Sequence, residues 1–124
     1  MLPIVIIKQK EAYLFWQKIN RNLPKTERFN LGQKISQSFI EVLELTFTAA
    51  YQPPEKKIKL LEQTLSRLDI LKFFLQLAWE AKLIPNNQYT EIFNKLNEVG
   101  RMLGGWKNGL IKKDKPSHEK CVRE

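Results

Sequence analysis

The chain has 124 residues, 43% of them hydrophobic and 27% charged, which is enough for one packed core and too short for a second compact domain. Its 21 Lys and Arg against 13 Asp and Glu leave a net charge of +8, a balance that favours a polyanionic partner, nucleic acid first, although an acidic protein or an anionic lipid surface gives the same signature. A single cysteine, Cys121, and a single histidine, His118, exclude an intramolecular disulfide framework, a four-thiolate zinc site and any two-histidine mechanism.

No alternating strand pattern of useful length appears, whereas helical spacing appears four times between proline or asparagine punctuation. The first helix is predicted from Ile4 to Asn22. Ala12, Phe15, Trp16, Ile19 and Leu23 form one apolar stripe, Pro3 suits the first turn, and Pro24 ends the helix. The second is predicted from Thr26 to Tyr51, with a broad apolar arc running from Leu31 through Ile35, Phe39 and Val42 to Phe47 and Ala50. The arc is wider than one side of a monomeric bundle needs, so a second buried contact is expected of it. The third runs from Glu55 to Leu83. Ile58, Leu61, Leu65, Leu68, Leu71, Leu75 and Ala78 make its main stripe, and a second stripe of Ile70, Phe73, Phe74, Leu77, Trp79, Ala81 and Ile84 widens it. That width predicts the third helix to be the central, most buried one. The fourth runs from Asn87 to Lys113 on the seam Tyr89, Ile92, Leu96, Val99, Leu103, Trp106 and Leu110. The fold expected is an all-α, up-down-up-down four-helix bundle over residues 1–113, followed by a disordered polar tail over 114–124.

The apolar run Leu2 to Ile7 is far shorter than the ~20 residues of a membrane span and lacks the basic start and cleavage site of a secretory signal. A soluble cytoplasmic protein with no membrane partner is expected.

Chemistry-bearing constellations are sparse. Glu41 with Glu44, and Glu62 with Asp69, are spaced as solvated or ion-paired helix faces. No Glu-x-x-His, P-loop or G-x-S-x-G motif occurs, and no helical histidine stands ready to activate a hydroxyl. His118 and Cys121 have no second pair of metal ligands. No catalytic residue, metal or cofactor is expected.

The positive charge gathers toward the two ends of the chain. Lys8–Arg28 holds six basic and two acidic residues, and Lys107–Glu124 six basic and three acidic. Arg21, Lys25 and Arg28 flank the first turn. Lys56, Lys57 and Lys59 open the third helix, where positive charge opposes the helix dipole. Up-down topology places these lysines beside Lys107, Lys112 and Lys113, at the end of the bundle opposite the first turn. This is the most coherent anion surface of the chain, and the two basic regions do not merge on a monomer. The fourth helix also carries Gly100, Gly104, Gly105 and Gly109, each costing about 1 kcal/mol relative to alanine. Such small faces admit another backbone, whether a helix of the bundle, a second subunit or a sugar-phosphate chain. Arg101 sits among them, facing either solvent or a neighbouring subunit. Trp16, Trp79 and Trp106 are expected to pack in the core or at a subunit interface, with base stacking the alternative.

Two stretches carry a family resemblance: Leu23-Pro24-Lys25-Thr26-Glu27-Arg28-Phe29-Asn30-Leu31-Gly32, and Asn97-Glu98-Val99-Gly100-Arg101-Met102-Leu103-Gly104-Gly105-Trp106. Both resemble the accessory variability determinant, Avd, of diversity-generating retroelements, over about residues 10–113. The first is shared with the wider bundle family that includes proteins encoded by intervening sequences of ribosomal RNA genes, and the second points to Avd within it. The resemblance implies a non-enzymatic four-helix bundle assembled as a homopentameric barrel. It further implies that a basic surface engages the retroelement reverse transcriptase and nucleic acid, including template-repeat RNA, in mutagenic retrohoming. The alternative is an intervening-sequence-type interaction protein without a reverse transcriptase partner. Individual binding residues do not transfer from the resemblance. The nucleic-acid-binding candidates read from this chain are Arg21, Lys25, Arg28, Lys56, Lys57, Lys59, Arg101, Lys107, Lys112 and Lys113.

Overall fold

A computed structural model describes residues 3–114. The chain folds as α1 (Ile4–Arg21), a single turn α2 (Lys25–Arg28), α3 (Leu31–Ala49), α4 (Pro54–Glu80) and α5 (Asn86–Asp114). The four long helices make an all-α bundle, and the described residues contain no strand. The boundaries of α1 and α4 have local causes. Pro3 precedes α1 in an extended conformation, and Lys18 and Arg21 in the last turn complement the helix dipole. Pro54 occupies the first turn of α4, where its missing N–H costs nothing. At the other end of α4, Lys82 adopts a left-handed conformation (φ 63°). Its neighbour Leu83 donates to the Ala78 carbonyl at 2.9 Å, which reverses the chain without a glycine.

The helix expected from Thr26 to Tyr51 is split. After the α2 turn the chain breaks at Phe29-Asn30, and α3 starts at Leu31. The break brings the backbone of Gly32 against α1. A β-carbon there would strike the Asn20 amide oxygen and lie 3.1 Å from the Glu27 carbonyl oxygen.

Around the bundle the helices neighbour one another in the order α1, α3, α4, α5 and back to α1. Each long helix therefore has two neighbours and one solvent face. This overturns the expectation that α4 is central. Its buried stripe is Leu61, Thr64, Leu68, Leu71, Leu75 and Ala78, while of the second stripe Ile70, Phe73, Leu77, Trp79 and Ala81 are exposed, Phe74 is half-buried, and Ile84, beyond the end of the helix, is buried. The broad arc of α3 divides likewise, with Ile35, Phe39, Val42 and Thr46 buried and Ile40 and Phe47 on the surface.

Trp16 is fully buried between α1 and α3, stacks on Phe39 and donates from Nε1 to the Ser36 hydroxyl at 2.9 Å. One polar pair crosses the same interface: Gln9 Nε2 donates to Thr46 Oγ1 at 2.8 Å, and Thr46 Oγ1 donates to the Val42 carbonyl. The seam of α5 is buried from Ile92 to Leu103 and half-buried at Trp106 and Leu110. Helix α5 runs one residue past the expected end, through Asp114. The rest of the expected tail, with His118 and Cys121, lies outside the described residues.

Candidate nucleic-acid interface

The ten basic candidates fall into three places. Arg21, Lys25 and Arg28 are exposed around the α1–α2 turn. Lys56, Lys57 and Lys59 in the first two turns of α4 share the opposite end of the bundle with Lys107, Lys112 and Lys113 in the last turns of α5. Arg101 stands apart, exposed on α5 above a groove of about 380 Å³ that it lines with Leu68, Asp69, Lys72, Asn97 and Gly100. The separation of the two basic ends follows from the antiparallel order of the helices.

Among the described residues there are two ion pairs, Lys8–Glu11 at 4.0 Å and Arg67–Glu41 at 3.9 Å, and neither uses a candidate cation. Three other lysines sit over aromatic rings instead: Lys34 over Phe74, Lys72 over Phe93 and Lys95 over Phe15, at 5.7, 5.8 and 5.7 Å from the ring centroids. The Arg67–Glu41 pair bridges α4 and α3 beside Glu44, so these carboxylates form a charged helix face. Among the described residues no three His, Cys, Asp or Glu side chains cluster as a metal site. No described helix is long and apolar enough to cross a membrane.

The end of the bundle holding Lys56 to Lys59 is not flat. A concavity of about 360 Å³ opens there, lined by Ile4, Val5, Ala50, Lys57, Met102 and Trp106. Lys57 stands four residues before Leu61 on the buried stripe of α4, so it occupies a core register at the open end and is half-buried. Trp106 occupies the equivalent place on the α5 seam. Charge alone singles out Lys57, whereas helical spacing assigns Trp106 and Ala50 to packing and is silent on Met102. The signal in the sequence that joins them is the core heptad continuing into a layer that holds a lysine.

The glycines of α5 divide. A β-carbon on Gly100 would meet Leu68 Cδ2 at 3.3 Å, so this glycine lets α5 approach α4. Gly104, Gly105 and Gly109 meet nothing within 4 Å. Packing within the bundle accounts for the first and not for the other three.

At the turn end, Trp79 stacks on Tyr89 (4.8 Å, 8°) and donates from Nε1 to Asn86 Oδ1, with Phe93 next in the column. Burial and the nearby Glu80 carboxylate raise the Tyr89 pKa. The column clamps the end of α4 to the start of α5.

The model of the bAvd-like family matches residues 5–110, from the start of α1 through most of α5 and across both resembling stretches. No curated protein matches the chain.

Proposed function

The chain belongs to the bAvd-like family, and from that premise we propose that it is a non-catalytic accessory protein of a diversity-generating retroelement. In this reading it works in the cytoplasm as a homopentamer. It binds the retroelement reverse transcriptase and the template-repeat RNA, and supports mutagenic cDNA synthesis. The observation that carries the reading is the family match together with a set of cations that no described acidic side chain pairs. Lysines and arginines held in this way displace counterions from a polyphosphate, which gives steeply salt-dependent binding with little sequence readout.

The test is co-purification of the full chain with the reverse transcriptase encoded beside it, with and without RNA, alongside light scattering. A stable polymerase complex and a mass about five times 14.7 kDa are expected. A chain that ignores the polymerase would reject the accessory role and favour an intervening-sequence-type interaction protein.

A further inference from the structure

We propose that the open end of the bundle is a receptor for an unpaired base of single-stranded nucleic acid. The inference rests on the nucleic-acid reading above and adds a site to it. The two ends of the bundle are built differently. At the α1–α2 turn, Leu23 and Ile84 come from the connecting segments and are buried, which closes the core. At the other end the α3–α4 connection contributes only the small, half-buried Ala50, and among the described residues the core terminates in the concavity lined by Val5, Ala50, Met102 and Trp106.

Three features select a base as the occupant. The volume, about 360 Å³, lies at the small end of ligand-binding clefts and suits one planar ring system. The walls supply an indole and a thioether, which favour a polarizable aromatic guest, and base–aromatic stacking of this kind tolerates any base. The cation at the wall is Lys57, with Lys56, Lys59, Lys107, Lys112 and Lys113 on the surrounding turns. A base seated against the Met102–Trp106 wall of α5 thus has its own phosphate beside Lys57 and its flanking phosphates within a field of lysines. A duplex keeps its bases stacked and paired, so it reaches only the outer lysines.

The experiment titrates the full chain with a labelled single-stranded RNA and with a blunt RNA duplex of equal length. Two variants are compared with the parent. Trp106→Ala removes the indole. Ala50→Phe fills the concavity and leaves the indole in place, which covers the case that the first variant loosens the helix end. Both variants are expected to lose about tenfold in affinity for the single strand, with duplex affinity unchanged. Equal losses on both RNAs, or no loss on either, would overturn the base receptor while leaving the nucleic-acid reading intact. A parent chain that binds neither RNA would overturn the reading itself, and the receptor with it. Binding of phosphatidylglycerol vesicles that both variants abolish, at unchanged RNA affinity, would assign the concavity to a lipid chain and reject the proposal.

Discussion

Gly32 shows how one residue fixes the geometry of the first turn. Its missing side chain lets the start of α3 lie against the Asn20 amide and the Glu27 carbonyl. In an ordinary helix a glycine-to-alanine change stabilises by up to about 1 kcal/mol. Here the added methyl makes the Asn20 amide turn away and the Glu27 carbonyl give by a few tenths of an ångström, so Gly32→Ala is expected to forfeit that gain and to destabilise by about 1 kcal/mol or less in urea denaturation. Stability equal to or above the parent would show that the approach is dispensable. The same comparison separates the glycines of α5, because only Gly100 faces a neighbouring helix at contact distance.

At the scale of the elements, α1 and α3 are joined by one buried polar pair inside an otherwise apolar interface. Gln9 uses its amide nitrogen on Thr46, while its Oε1 has no partner among the described protein groups. Replacing Thr46 by valine strands the Gln9 donor as well, and an unpaired buried group costs about 1–3 kcal/mol. Thr46→Val alone is therefore expected to destabilise by that amount. Gln9→Leu combined with Thr46→Val is expected to recover most of the loss. A double-mutant cycle in urea reads the coupling, about 0.5–3 kcal/mol for groups in one network. Strict additivity would mean that water or another group satisfies Gln9 when Thr46 is gone. The exposed Phe73, Ile70 and Leu77 of α4 belong to this scale too. They look like core in a one-dimensional pattern, and the square arrangement of helices leaves them outside.

At the scale of the whole molecule, charge is distributed by topology. The lysines of early α4 and late α5 meet because those two segments end on the same side of an antiparallel bundle. Lys56, Lys59 and Lys112 are exposed, so reversing all three to glutamate is expected to leave stability within about 0.5 kcal/mol of the parent per site, read from thermal unfolding. RNA affinity should fall, and the slope of log K against log salt should flatten by about 0.7 for each single-strand phosphate that is no longer neutralised. Reversing Arg21, Lys25 and Arg28 at the other end is the matched comparison. An unchanged slope after the first triple change, with a flattened one after the second, would move the RNA surface to the turn end.

The four long helices, their antiparallel order and the basic character of both ends are legible in the amino-acid order. Helical periodicity, proline stops and charge are local or additive properties, so they survive without a fold. The two stretches that mark the family are equally local. The break at Phe29-Asn30 is different, because the close approach of Gly32 to Asn20 that accompanies it involves another helix. Which of the two α4 stripes is buried is likewise a matter of packing, since a heptad pattern does not say how many neighbours a helix has. The same holds for the division between Gly100, which faces a helix, and Gly104, Gly105 and Gly109, which do not. Lys57 and Trp106 belong to different helices, and only the packing of four helix ends makes them two walls of one concavity.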